Sequence, residues 1–232
     1  GQAAVMPPVS PKVQEPVESK KLLLPEKNEN NDHVITYLMG RGIHREIIDY
    51  CIRTKQLYES RDYHNAVFIG FDRHGVPKYA TLRGTFGERF MGEVNGSDKH
   101  FSFSIPARNE CRKLHLFESA IDLLSYGTLE LLSGKDWRQE NCLSLAGIYM
   151  PKKIIEESTP PAALMQYLKD FPQIKEIALH LDNDTAGRLA AKTIKTLLSS
   201  SLTISDEPPK RGKDVNDYLK ITSKMRQPRE RE

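Results

Sequence analysis

The sequence has few cysteines, and their spacing is unsuited to binding a metal. Cys51, Cys111 and Cys142 are the three in 232 residues, they lie far apart, and none forms a C-x-x-C pair. They cannot build a zinc ribbon on their own, and an odd, scattered set is typical of a protein in the reducing cytosol. We therefore expect no zinc and a cytoplasmic location.

Long apolar runs are also lacking. No run approaches the roughly 20 residues that a helix needs to cross a bilayer. We therefore expect no membrane partner.

An excess of charge of one sign is lacking as well. The 34 Lys and Arg residues against 31 Asp and Glu residues leave a formal net charge of +3. So small a charge does not by itself indicate nucleic-acid binding, which must be argued from local clusters. A charged fraction of 28% and a hydrophobic fraction of 38% are ordinary for a globular protein, and this length can hold one large or two small domains.

Four parts follow one another along the chain. Residues 1–31 are rich in proline and polar residues, which predicts a disordered tail or linker. Residues 32–110 begin with two short helical patterns and continue with β-rich segments, which predicts a small α+β subdomain. Residues 111–222 form the main predicted domain, and the charged residues 223–232 are expected to be frayed.

The main domain alternates strand and helix. Predicted strands lie near Leu114, Cys142, Ile174 and Leu202, with helical patterns between them. Such alternation predicts a mostly parallel sheet flanked by helices, an α/β fold. Functional groups in these sheets gather beyond the carboxyl ends of the strands.

Acidic residues stand at two of those strand ends. Glu118 follows one strand, and Asp182 and Asp184 follow another, two residues apart and hence on one face of an extended segment. Adjacent anions repel unless a cation lies between them, and carboxylates without nearby His or Cys favour Mg²⁺ or Mn²⁺ over zinc. The alternative is that Asp182 merely ends a strand while Asp184 caps the helix predicted over Thr185 to Leu198.

Basic residues recur along the predicted sheet of the first subdomain. Lys78, Arg83 and Lys99 are interleaved with aromatic residues. Charges on the open face of an antiparallel sheet are commonly just solvated. The alternative interpretation is a platform that binds phosphates.

Three motifs in the second half carry a family resemblance. They are Phe117-Glu118-Ser-Ala-Ile-Asp122, Asp182-Asn-Asp184-Thr-Ala-Gly187-Arg188 and Gly212-Lys213-Asp214-Val-Asn-Asp217. In order and spacing they resemble the TOPRIM domain of bacterial primases, topoisomerases and several nucleases, over about Lys113 to Leu219. The segment from Tyr37 to Ile48 resembles the helical entry of the bacterial primase polymerase core. The whole chain is similar to primase-like TOPRIM proteins carried by plasmids and conjugative elements.

The resemblance implies roles for particular residues. The fold would be a TOPRIM domain preceded by a small basic α+β subdomain. Glu118 would be a general acid/base or a metal-linked carboxylate, Asp182 and Asp184 would hold Mg²⁺, and Asp214 would complete the acidic cluster. The residues expected to contact nucleic acid or nucleotide phosphates are Lys78, Arg83, Lys99 and Lys213. For Lys213 a solvated loop lysine is the alternative, and for Asp217 a helix-capping role is expected.

Three functions remain open from the sequence. The first is metal-dependent nucleotidyl transfer, in which a primer is made on single-stranded DNA from nucleoside triphosphates. The second is cleavage of phosphodiester bonds, as in TOPRIM nucleases. The third is a non-catalytic nucleic-acid-binding module of a larger replication or mobilisation protein.

Overall fold

A computed structural model describes residues 21–87, 90–147 and 149–226. Within these ranges the chain forms six α-helices, nine β-strands and a short 3₁₀ turn, Ile155–Glu157. The elements in chain order are α1 (Asp32–Gly40), α2 (Arg45–Arg53), β1 (Leu57–Glu59), β2 (Ala66–Phe71), β3 (Pro77–Arg83), β4 (Met91–Glu93), β5 (Ser104–Ile105), β6 (Lys113–Phe117), α3 (Ala120–Leu132), β7 (Asn141–Ser144), α4 (Ala162–Asp170), β8 (Glu176–His180), α5 (Thr185–Leu198), β9 (Thr203–Asp206) and α6 (Val215–Arg226). None of the helices in the described ranges combines the length and hydropathy needed to cross a bilayer.

The first sheet is antiparallel and has the order β1-β2-β3-β4. A hairpin turn joins β2 to β3, and in it the Asp72 carboxylate accepts the backbone N–H groups of His74 and Val76. Gly75 takes the positive φ of 75° that this turn requires. Alternation along β3 directs Lys78 and Arg83 to opposite faces of the sheet.

The second sheet has the order β5-β7-β6-β8-β9, and only β5 is antiparallel to its neighbour. One face packs against α3, and the other packs against α4 and α5. The predicted parallel sheet flanked by helices is therefore confirmed. Because β6 and β8 are adjacent and parallel, with Phe117 paired to His180, their carboxyl ends open at the same edge.

One predicted strand differs in extent and in location. The sequence predicts a strand over Phe101 to Ile105 in the first sheet, whereas only Ser104–Ile105 is a strand and it pairs with β7 of the second sheet. The chain crosses β2 closely at Gly70, where an added Cβ would lie 2.0 Å from the Phe101 carbonyl oxygen. Phe103 then accepts a hydrogen bond from the Ser144 N–H (2.9 Å). This crossing transfers the chain from one sheet to the other.

A shared core joins the two halves. Buried residues of α1 and α2, among them Leu38 and Ile47, lie in one cluster with Phe117 of the second sheet and Leu124 of α3. Trp137 seals this junction, since its indole N–H donates to Glu46 of α2 (3.2 Å). The two halves therefore pack as one body around the edge where β6 and β8 end.

Residues 21–31 pack on the first sheet. Leu22 and Leu24 contact the apolar cluster on its outer face, and Asn28 N–H donates to the Glu59 carbonyl (2.8 Å). Burying these leucines removes apolar surface from water, so the structure places this segment with the subdomain and not with the predicted tail. Residues 1–20 of that tail, and 227–232 of the C-terminal one, lie outside the described residues.

Candidate functional site

The three acidic residues predicted for the site meet at the common edge of β6 and β8. Glu118 directly follows β6, and its Oε1 accepts the backbone N–H of Asp182 (3.1 Å), two residues after β8. Asp182 is buried and Glu118 is half-buried. Two segments more than 60 residues apart thus place their carboxylates side by side.

The turn from β8 into α5 fixes the two aspartates. Asp184 caps α5, its Oδ1 accepting the N–H of Gly187 (2.8 Å). An added Cβ at Gly187 would lie only 2.2 Å from the Asp182 carbonyl oxygen. The first turn of α5 therefore packs directly against the end of β8. Helix capping occupies one oxygen of Asp184 and leaves the other available.

That second oxygen faces Lys213. The Lys213 ammonium lies 3.2 Å from Asp184 Oδ2 and 3.3 Å from Asp182 Oδ2. Its loop is held in place by Asn183, whose N–H donates to the Lys213 carbonyl (2.7 Å) and whose side chain donates to the Pro209 carbonyl (3.0 Å). Lys213 is thus a counter-ion between the two carboxylates, and it marks the point where positive charge is stabilised.

The electrostatics show how crowded the acidic groups are. Burial, and then the neighbouring Asp182 carboxylate, raise the pKa of Glu118. Burial also raises the pKa of Asp182, although the Lys213 ammonium opposes it, whereas the Gly187 N–H lowers the pKa of Asp184. Half-buried carboxylates that offer only oxygen ligands are the donor set of a hard divalent cation. These residues therefore fit Mg²⁺ or Mn²⁺.

Asp214 directly precedes α6, and Asp217 lies in the first turn of that helix. Asp214 Oδ1 accepts the N–H of Asp217 (2.7 Å), and Asp217 Oδ2 accepts the N–H of Lys213 (3.3 Å). Asp214 also lies close enough for its charge to raise the pKa of Asp182. The structure therefore gives the capping contact to Asp214 and places Asp214 at the margin of the cluster.

Asp122 is a buried acid to which the sequence analysis assigned no role. Its Oδ2 accepts the Ser119 hydroxyl and its Oδ1 accepts the N–H of Asn216 (3.2 Å). Burial, and then the charge of Asp214, raise the pKa of Asp122 to about 7. Its place at the end of the first motif, in the first turn of α3, is the sequence signal that could have identified it.

Asn216 is a second residue without a predicted role. It is fully buried, and its side-chain amide donates to the Arg41 carbonyl and the Ser125 hydroxyl (both 2.9 Å) while accepting from Arg41 Nε (3.0 Å). It connects the loop between α1 and α2 to the start of α6. Its place inside the third motif is the sequence signal.

Arg188 braces the turn that carries the aspartates. Its guanidinium donates to the carbonyl oxygens of Leu181 (2.8 Å) and Asp182 (3.2 Å) and to both carboxylate oxygens of Asp206 (2.8 Å each). The second motif contains this arginine, but spacing alone does not reveal that it holds β8 and β9 together.

The predicted basic residues divide between two places. A cleft of about 240 Å³ between the sheets is lined by Arg83 and Glu118 together. Lys99 lies beside this cleft: its Nζ is 4.0 Å from the position of a Cβ on Gly147 and 3.6 Å from the Glu93 carboxylate, and both of these residues line the cleft. Lys78 points to the opposite face of β3, where its ammonium lies 3.8 Å from Asp72. Arg83 and Lys99 therefore border the cleft, and Lys78 does not.

Two families match the sequence. Residues 36–109 match a family of proteins of unknown function, DUF3991, and residues 115–219 match the Toprim-like family. No curated protein matches the sequence.

Solved primase structures share the fold. The primase fragment of the bacteriophage T7 primase-helicase aligns with a TM-score of 0.57 at 19% identity, covering 81% of this chain and 69% of that chain. A DnaG primase catalytic domain bound to single-stranded DNA gives 0.54 at 12% identity, covering 84% and 71%. The zinc-binding and RNA polymerase domains of Aquifex aeolicus primase give 0.51 at 17% identity, covering 82% and 53%.

At these identities the alignments establish the fold. The family match identifies residues 115–219 as a Toprim-like domain, and the alignments show that the chain is folded like the catalytic cores of bacterial and phage primases.

Proposed function

We propose that the protein is a metal-dependent nucleotidyltransferase that makes primers on single-stranded DNA from nucleoside triphosphates. One observation carries the proposal: Glu118, Asp182 and Asp184 meet at the ends of adjacent parallel strands. The cleft that Arg83 shares with Glu118 supports it. So does the similarity to a primase catalytic domain described as bound to single-stranded DNA.

The carboxylates of Asp182 and Asp184, with Glu118 beside them and Asp214 at the margin, would hold Mg²⁺ or Mn²⁺. Such an ion supplies charge neutralisation and orientation of phosphate oxygens when it is bound. The Lys213 ammonium forms ion pairs with both aspartates, and its side chain is more than half exposed. It can therefore leave these carboxylates and pair with a substrate phosphate instead. Lys213 could in this way pair with the aspartates in the free protein and contact phosphate, as predicted, when substrate is bound.

Glu118 would manage the proton. Its Oε1 is fixed by the Asp182 N–H. The pKa of Glu118 is raised toward neutral pH, which suits a general base. We assign Oε2 as the atom that accepts the proton of the primer 3′ hydroxyl. The 3′ oxygen then bonds to the α-phosphorus of the incoming nucleotide as the bond to pyrophosphate breaks.

Arg83 and Lys99 would bind phosphates of the template or the incoming nucleotide at the cleft. Phosphate contacts fix register and orientation without reading sequence, and they weaken with salt. Nucleotides and template meet in the cytoplasm, where we place the reaction. The resemblance to plasmid-borne proteins further suggests replication of a mobile element alongside other replication or mobilisation proteins.

Nucleotide incorporation tests the proposal. Labelled nucleoside triphosphates, single-stranded DNA and Mg²⁺ or Mn²⁺ should yield short products with the natural chain. The double variant Asp182→Asn with Asp184→Asn should yield none. The matched control Asp136→Asn removes an exposed carboxylate paired with Arg108, and it should retain full activity.

Other outcomes would contradict primer synthesis. Product that survives the double variant would overturn the assigned site. Cleavage of DNA or RNA without nucleotides would favour the nuclease, and salt-sensitive DNA binding without turnover would favour a non-catalytic module.

A further inference from the structure

A cluster of two histidines and a glutamate lies outside the acidic site. His33 of α1, Glu59 of β1 and His64 of the following turn each offer one ligand atom, and these atoms all lie within 4.8 Å of one another. His33 Nδ1 is 2.9 Å and His64 Nδ1 is 2.6 Å from the same oxygen, Glu59 Oε1. Two imidazole nitrogens thus converge on one carboxylate oxygen.

The glutamate is held so that this oxygen faces the histidines. Glu59 is fully buried. Its other oxygen, Oε2, accepts the backbone N–H groups of His33 (3.0 Å) and Val34 (3.3 Å) at the start of α1, where the helix dipole favours an anion. Asn28 donates its side-chain amide to Oε1 (2.7 Å). Carboxylates that bind metals are typically anchored by hydrogen bonds of this kind.

The backbone of His64 is strained in a way that serves the cluster. Tyr63 and His64 both have positive φ, 63° and 50°, a conformation that non-glycine residues seldom adopt in succession. The Thr85 hydroxyl fixes this turn by donating to the His64 carbonyl (2.7 Å). Such strain persists where the surroundings enforce it and is concentrated at binding sites. Here it turns the His64 ring toward Glu59.

The cluster is open on one side. The side chains of His33 and His64 are 43% and 38% exposed, above a glutamate that is 0% exposed. Phe86 lies edge-on to the His33 ring, with the ring centres 4.7 Å apart. Three protein ligands with access from solvent match the arrangement of zinc sites that keep a fourth position for water.

We infer that His33 Nδ1, His64 Nδ1 and Glu59 Oε1 bind one divalent cation of the zinc class. Two imidazoles and a carboxylate suit Zn²⁺, Co²⁺ or Ni²⁺ better than Mg²⁺. Ligand atoms around tetrahedral Zn²⁺ are about 3.3 Å apart, so each imidazole nitrogen needs to move away from Glu59 Oε1 by less than about an ångström. The expectation of no zinc rests on the scattered cysteines and on the acidic strand ends, and these two histidines and Glu59 belong to neither.

The ion would connect three separate segments. His33 lies on α1, Glu59 ends β1, and His64 lies in the turn before β2. A bound cation would therefore tie the N-terminal helix to the first sheet, and it would raise the stability of the folded chain over the unfolded one.

Metal titration with a matched histidine control tests this inference. The chelator-treated chain is titrated with Zn²⁺ alone, and again with Co²⁺ to follow its visible absorption, in excess Mg²⁺ to saturate the acidic site. We expect one equivalent per chain. His33→Ala and His64→Asn should each weaken binding by at least about 100-fold, the upper end of the loss from a second-shell change. Asparagine at 64 tolerates the left-handed backbone.

The control is His100→Ala. Its ring also lies against a carboxylate, 2.7 Å from Asp98, but outside the cluster, so its loss should leave Zn²⁺ affinity unchanged. The double variant Asp182→Asn with Asp184→Asn should still bind one equivalent, which separates this site from the proposed catalytic one. Absence of stoichiometric binding, or unchanged affinity in His33→Ala, would overturn the inference. Should His64→Asn fail to fold, His33→Ala and the Zn²⁺-dependent rise in melting temperature of the natural chain decide the question.

Discussion

At the scale of single residues, Gly187 determines how closely α5 approaches the end of β8. The Asp182 carbonyl occupies the space where a side chain would be, and the Gly187 N–H donates to the Asp184 carboxylate that caps α5. The aspartates can stand beside Lys213 only because this position has no Cβ. Substitution here should therefore affect both stability and metal binding.

Gly187→Ala should destabilise the protein by ~1–3 kcal/mol, the usual cost of overpacking, and weaken Mn²⁺ binding because Asp182 is displaced. Gly40→Ala is the matched control. An added Cβ there meets nothing within 4 Å, so it should be neutral or stabilise α1 by up to ~1 kcal/mol. Urea denaturation and Mn²⁺ titration measure both effects. Equal stability of the two variants would contradict the close packing.

Asp122 should make stability depend on pH. Its folded pKa is about 7, against about 3.8 for an unperturbed aspartate, so the folded state keeps a proton that the unfolded state has lost across this window. The free energy of unfolding should therefore fall as pH rises from about 4 to about 7.

Asp122→Asn should reduce this decrease in the free energy of unfolding by ~2–4 kcal/mol, because asparagine is neutral at every pH. Urea denaturation of both proteins in metal-free buffer at several pH values measures the difference, in which other titrating groups cancel. Parallel pH profiles would show that Asp122 does not titrate in this range.

At the scale of elements, the site depends on the turn between β8 and α5 and on the loop before α6. Asn183 joins the two through the Lys213 carbonyl, and Arg188 ties the same turn to β9 through Asp206. The acids are thus held from outside the cluster, as ligands of metal sites commonly are.

Arg188→Lys should lower Mn²⁺ affinity by about 10–100-fold, because lysine cannot reproduce the forked contacts to two carbonyls and a carboxylate. Arg45→Lys is the control, since Arg45 forms an exposed pair with Asp49. Electron paramagnetic resonance of free Mn²⁺ gives both affinities. Unchanged affinity in Arg188→Lys would mean that the turn between β8 and α5 keeps its conformation without the Arg188 contacts.

Elements with strong periodicity were predictable from the sequence, and contacts between distant segments were not. The helix over Thr185 to Leu198 and the parallel sheet follow from local patterns, and the three acids follow from the strand-end rule. Pattern does not show that β5 joins the second sheet or that Lys213 lies between two aspartates. Each of these depends on how the chain returns to a segment far away in sequence.

At the scale of the whole molecule, the two family segments share one core. The cluster that contains α1 and α2 also contains α3 and Phe117, and Asn216 adds buried hydrogen bonds from the first half to the start of α6. Neither segment can unfold without exposing apolar surface of the other. Such coupling favours a single cooperative transition.

Trp137, the only tryptophan, reports on this junction, because it packs edge-on against Tyr50 of α2 (5.2 Å between ring centres) and beside Gly127 of α3. We expect its fluorescence and the far-ultraviolet circular dichroism to change at the same urea concentration. Asn216→Ala, which leaves Arg41 and the Ser125 hydroxyl without their side-chain partner, should lower the free energy of unfolding by ~2–4 kcal/mol and move both midpoints together, whereas the exposed Asn109→Ala should not. A fluorescence transition that separates from the circular dichroism would show that the halves unfold independently, and the edge where β6 and β8 end would then lack the rigid support on which the placement of Glu118 beside Asp182 depends.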